Sequence, residues 1–138
     1  MAVLLDGLLS YMTTYWKWRN KVAEARKTRP VSWIKAALKD FGVFPKDAQS
    51  SFLTALTMAA EGGKADIAKP MHGLGSGLFE IALAFRGDAF RVVYAFQVAD
   101  EIWVIHAFQK RSKHGIKTPK HEIDLVKDRL KKLQEALR

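Results

Sequence analysis

Hydrophobic positions along the chain change period more than once, and the changes divide it into helical and extended stretches. In residues 2–27, Leu5, Leu8, Leu9, Met12, Tyr15 and Trp16 recur at three- and four-residue spacing, and Lys and Arg gather toward the end. That pattern predicts an amphipathic helix whose last-turn cations suit its dipole. Arg29-Pro30 breaks it. The run VSWIKA (31–36) predicts a short strand, and 37–41 a short helical turn. Pro45 stands where a first-turn proline belongs and opens a predicted helix over 45–61, with Phe52, Leu53, Leu56, Ala59 and Ala60 on its buried stripe. Residues 62–77 carry Gly62, Gly63, Gly73, Gly75 and Gly77 and are expected to be loop.

From residue 78 the period is two. Leu78–Arg86, Ala89–Val98 and Glu101–Gln109 are rich in β-branched and aromatic residues and are separated by Gly87-Asp88 and Ala99-Asp100. They predict an antiparallel three-stranded meander. Pro119 then opens a helix over 119–137, with Ile123, Val126, Leu130, Leu133 and Leu137 on one face. The expected architecture is α+β: a short first strand plus the meander in an antiparallel sheet, flanked by helices, in one domain over 1–138.

Alternation assigns the faces. Phe79, Ile81, Leu83 and Phe85 share one with Phe90, Val92, Tyr94 and Phe96. Glu80, Ala82, Ala84, Arg86 and Arg91 share the other. With tight turns at Gly87-Asp88 and Ala99-Asp100, Trp103, Ile105 and Ala107 join the bulky face. Ile102, Val104, His106, Phe108 and Lys110 then join the face of Arg91. A slip of one residue reverses the assignment. The small side chains are expected to leave that second face concave, with Arg91, His106 and Lys110 close together on it.

The charge balance adds a ligand class. The chain has 138 residues, 23 Lys and Arg against 14 Asp and Glu, and a formal net charge of +9. Residues 106–121 hold Lys110, Arg111, Lys113, Lys117 and Lys120 with no acid. Such a surface favours a polyanion. Cysteine is absent, which excludes thiolate nucleophiles and Cys-ligated zinc. The four histidines show no metal-binding spacing, so neither metal nor cofactor is expected. No apolar run approaches the ~20 residues of a membrane span, and the N-terminus has no basic region ahead of its apolar stretch, so a cytoplasmic domain is expected.

These residues fit RNA cleavage by the substrate's own 2′-hydroxyl, which needs proton transfer and fixed cations. A histidine with a pKa of about 6.5 suits the first task, and the planar fork of arginine suits the second. Hence Arg91 is assigned to the phosphate, His106 to proton transfer and Lys110 to electrostatic support, with Arg86, Arg111, Lys113, Lys117 and Lys120 as RNA-binding residues. The plainer alternatives stay open: His106 as a structural histidine, Arg91 paired with Glu80 or Asp88, Lys110 as a strand-end lysine.

Several segments also carry a family likeness. They are Val31-Ser32-Trp33, Asp40-Phe41, Phe44-Pro45, AKPMHGLGSGLFEI (68–81), GDAFRVVYAF (87–96) and IWVIHAFQKRSKHGIKTPKHEIDLVKDRL (102–130). Over roughly residues 29–135 the chain resembles the phage-derived Gp49-like proteins, a HigB-like branch of the RelE/ParE toxin superfamily. The resemblance implies a compact RelE-like fold and a type II toxin that cuts mRNA on the ribosome. It also implies a cognate antitoxin with a helix-turn-helix domain that holds the toxin inactive. Arg91, Lys110 and Arg111 match the family's basic positions, with Lys113, Lys117 and Lys120 on the loop that follows. Residues 1–28 are additional to the family core, either a packing or antitoxin-contacting helix or an over-extended start with translation beginning at Met12 or later. Ile81-Ala82 follow Glu80 where many superfamily members carry an Arg. A gyrase-targeting ParE-like toxin and a degenerate toxin kept as a binding module are the alternatives.

Overall fold

The computed structural model describes residues 28–75, 77–110 and 117–137. The helix expected over 2–27 lies outside them. The described chain runs β1 (Val31–Trp33), α1 (Lys35–Phe41), α2 (Lys46–Ala60), β2 (Ala68–Pro70), β3 (Leu78–Phe85), β4 (Asp88–Val98), β5 (Glu101–Lys110) and α3 (Lys120–Ala136). The strands form one sheet in the order β1-β5-β4-β3-β2. The expected meander is its centre, and the fold is the compact α+β, RelE-like arrangement.

Two features of the sheet differ from expectation. β1 pairs with β5 in parallel, Val31 opposite Ile102 and Trp33 opposite Val104, so the sheet is mixed. β2 falls in a stretch expected to be loop. Its three residues pair antiparallel with β3, and Pro70 is accommodated because β2 is an edge strand. Its shortness left too little alternation to read.

The β3–β4 turn is at Arg86-Gly87, with φ of 51° and 84°, and pairs Phe85 with Asp88. Gly87-Asp88 was the expected turn. Two consecutive positive φ values suit the right-handed twist of the hairpin. The shift moves each pairing by two residues and therefore preserves the faces: Arg91 sits opposite Ala82, with Glu80 diagonal to it. The turn at Ala99-Asp100 is as expected, pairing Val98 with Glu101.

The β4–β5 pair carries a bulge that alternation cannot reveal. Val93 faces His106 and Tyr94 faces Val104, so Ile105 is an extra residue. Ile105 and the three residues before it, which lie between this bulge and a second irregularity at Phe96/Val98, therefore change sides relative to expectation. Ile102 and Val104 belong to the core under α1 and α2, whereas Ile105 and Trp103 pack on the other face with Leu78, Val93, Ala95 and Val126.

The larger core lies between the sheet and α1–α2. Phe41, Phe44, Phe52 and Phe90 form its aromatic centre, with Phe44 and Phe90 centroids 4.8 Å apart. The corner between the helices is fixed by Gln49, whose amide donates to the Phe44 carbonyl at 2.8 Å. Leu53, expected on the buried stripe of α2, is instead exposed. The second face of the sheet is not an open hollow: α3 packs across it through Val126 and Leu133, while Leu137 is exposed beyond the contact. No described helix is long and apolar enough to cross a membrane.

Candidate active site

Arg91, His106 and Lys110 all lie on the α3 side of the sheet, and all three are buried, at 8%, 3% and 6% relative exposure. Polar groups so far from water need partners, and each has them.

Arg91 donates from Nη1 to Glu80 Oε1 at 2.6 Å. Of the two carboxylates that could take it, Glu80 is the one that does. The Thr118 hydroxyl donates to the other oxygen of Glu80. Lys110 stands opposite Ala89, one step along the same face from Arg91. Burial lowers the pKa of Lys110, the Arg91 guanidinium lowers it further, and Glu80 partly opposes both. Two cations thus share the field of one carboxylate at the end of the sheet where Thr118 precedes α3.

His106 is held from both sides. Arg129 Nη1 lies 3.0 Å from its Nδ1 and 3.0 Å from the Ile105 carbonyl, while Nε2 meets Glu122. A guanidinium can only donate, so Nδ1 accepts, and the ring proton resides on Nε2 facing the carboxylate. Phe108 stacks on the ring with centroids 5.0 Å apart. The bulge at Ile105 aligns its carbonyl and the neighbouring imidazole so that one guanidinium meets both.

The remaining sequence-derived positions are peripheral. Arg86 is exposed on the β3–β4 turn with its guanidinium 5.1 Å above the Phe85 ring. Lys117 and Lys120 are exposed beside the start of α3. Arg111 and Lys113 lie outside the described residues. Among the described residues no group of three or more His, Asp or Glu is positioned to hold a metal ion.

Two clefts flank the first turn of α3. One, of about 520 Å³, is lined by Glu80, Lys117, Thr118, His72 and Ile123 among others. The other, of about 630 Å³, includes His106 and Glu122 in its lining.

One face of the sheet is thus covered by α3, with buried Arg and Lys at one end. The profile of the phage-derived Gp49-like proteins matches residues 39–131. The chain belongs to this family. Gp49-like proteins are HigB/RelE-like, and the family stands among the toxins of toxin–antitoxin systems, whose partner is an antitoxin. The matched span contains Arg91, His106 and Lys110 together with Glu80, Glu122 and Arg129. No curated protein matches the chain.

Three residues of this Gp49-like site had no role in the sequence reading: Thr118, Glu122 and Arg129. A signal for two of them exists. Glu122, Val126, Arg129 and Leu133 recur at four- and three-residue spacing, which puts both charges on the stripe that faces the sheet.

Proposed function

We propose that this Gp49-like chain is a toxin that inhibits translation by cutting mRNA on the ribosome without a metal ion. Its cognate antitoxin, a helix-turn-helix protein, holds it inactive. The RNA backbone lies along the rim carrying Arg86, Lys117 and Lys120, and Arg111 and Lys113 add to its binding. The substrate 2′-oxygen gives up its proton and attacks the neighbouring phosphorus. The bond to the 5′-oxygen then breaks and that oxygen takes a proton, leaving a 2′,3′-cyclic phosphate and a 5′-hydroxyl.

The observation that carries this reading is the grouping of Arg91 and Lys110 around a single carboxylate, Glu80. Two cations against one anion leave positive charge for the extra negative charge of the phosphorane, and burial strengthens its field. The lowered pKa of Lys110 also makes that ammonium a readier proton donor to the 5′-oxygen. His106 is the proton-transfer group: its Nε2 proton passes to the Glu122 carboxylate as Nε2 takes the proton of the 2′-oxygen.

Induction of the chain alone tests the reading. Growth arrest is expected, and Arg91→Lys and Lys110→Met are expected to relieve it while circular dichroism shows a folded protein. Lysine in place of Arg91 keeps the charge but loses the two-pronged grip on phosphate. Full toxicity from both folded variants excludes this site.

A further inference from the structure

The loop that joins β2 to β3 is closed by the Met71 amide, which donates to the Leu78 carbonyl at 2.9 Å, and Gly73 and Gly75 turn it at φ of 81° and 88°. Closure leaves Met71 and Leu74 half-buried against the core cluster under α3. With Pro70 and Ile123 they give the 520 Å³ cleft its apolar walls. Its polar lining comes from Glu80 and Thr118 and from the exposed His72 and Lys117.

The direction of one hydrogen bond decides what this lining offers. The Thr118 hydroxyl donates its proton to Glu80 Oε2. Toward the cleft it therefore has only oxygen lone pairs, and a carboxylate too can only accept. The Glu80 side chain keeps 13% of its surface exposed, so a ligand can reach it. The occupant that fits is a flat body with apolar faces and adjacent donors on one edge. Lys117 opposes a cationic occupant and suits one that carries an anion. Among the RNA bases, guanine sets two neighbouring donors, N1–H and the N2 amino group, on its pairing edge. Adenine, cytosine and uracil place an acceptor beside their donor, and that acceptor would face the oxygens of Glu80 and Thr118.

We propose that this cleft is a guanine-binding pocket. The base enters between Met71, Leu74 and Ile123, its N1–H and N2 amino donors meet Glu80 and the Thr118 oxygen, and Lys117 meets its phosphate. The apolar walls and the Met71 sulfur take the ring faces. Glu80 also holds Arg91, so a base read by this carboxylate lies next to the buried cations. That the guanine flanks the bond being cut rests on the proposed nuclease site, whereas recognition of the base does not.

Methyl NMR on the full-length protein tests the pocket, with the four nucleoside 3′-monophosphates and N-acetylarginine amide as probes. Guanosine 3′-monophosphate is expected to shift the Met71, Leu74 and Ile123 methyl signals. It is also expected to bind roughly tenfold or more tighter than the other three nucleotides, the worth of about one hydrogen bond. Thr118→Val is expected to cut that preference to roughly threefold or less, and Thr118→Ser to keep it. Equal affinity for the four nucleotides overturns the proposal. So does an absence of shifts with any of them, equal binding of the arginine amide, or an undiminished preference in folded Thr118→Val. Cleavage is scored separately on mRNA. Cuts without guanine bias, together with equal affinities, overturn the pocket and leave the nuclease standing. A guanine preference in a chain that makes no cuts supports the pocket and removes the nuclease.

Discussion

Arg129 reaches from α3 to His106 and places one guanidinium nitrogen 3.0 Å from Nδ1, so a helix residue decides which nitrogen of a strand histidine carries the proton. The same nitrogen donates to the Ile105 carbonyl at 3.0 Å, tying α3 to the bulge in β5. The nitrogen chemical shifts of the imidazole are therefore expected to report the Nε2–H tautomer. Arg129→Ala leaves the bulge carbonyl without this donor and is expected to destabilise the fold by about 1–3 kcal/mol, measured by urea unfolding. Nitrogen shifts of an Nδ1–H ring in the unaltered protein contradict this arrangement.

Glu80 and Arg91 form the second tie, between diagonal positions of neighbouring strands, with side chains 13% and 9% exposed. Removing one member leaves the other charged and away from water. Glu80→Ala is expected to cost about 3–5 kcal/mol, because it strands Arg91 and Lys110 together. The double variant Glu80→Leu with Arg91→Met is expected to cost less than the sum of its single changes. Additive losses in a double-mutant cycle contradict direct coupling.

Alkaline stability divides between two buried groups of opposite sign. Burial raises the pKa of Tyr94 to about 12 from an ordinary 10.0. Between those values the unfolded chain ionises and the folded chain does not, so Tyr94 contributes stability that is present below pH 10 and lost as pH climbs toward 12. Lys110 has the opposite effect, because its folded pKa is lowered from 10.5. The unfolded chain then holds more protons between the lowered value and 10.5, and stability rises with pH across that interval. Tyr94→Phe is expected to flatten the alkaline fall in denaturation midpoint, and Lys110→Met to steepen it. Identical pH profiles for the two variants contradict the assignment.

Arg86 occupies the left-handed region at φ 51°, a conformation in which Asn costs less than most residues. If its guanidinium is retained for RNA, Arg86→Asn is expected to raise the midpoint of thermal unfolding while weakening RNA binding. The stabilisation is roughly 0.5–1 kcal/mol, in the range of compatible turn substitutions. A variant that is more stable and equally active removes Arg86 from the RNA surface.

The long elements were legible because their periodicity is strong. α2, α3 and the meander follow from spacing alone, and the faces survive the misplaced β3–β4 turn because a two-residue shift in pairing preserves the side each residue occupies. A bulge has no compositional mark, so all four residues from Ile102 to Ile105 lie on the face opposite to the one alternation predicts. The grouping of Arg91, His106 and Lys110 on one face was readable from alternation, since all three lie beyond the bulge or on the strand opposite it. Their burial was not readable. The small residues of that face suggested a hollow, whereas α3 covers it, and the partners Glu122, Arg129 and Thr118 come from the segment that does so.

The chemistry of the RNA ends tests the central claim most directly. Induced chain should generate new cuts within translated mRNA whose downstream fragments begin with a 5′-hydroxyl and whose upstream fragments end in a 2′,3′-cyclic phosphate, and Arg91→Lys should abolish them. Downstream fragments beginning with a 5′-phosphate, or growth arrest with no new ends in mRNA, would contradict a metal-independent ribonuclease built on Arg91 and Lys110.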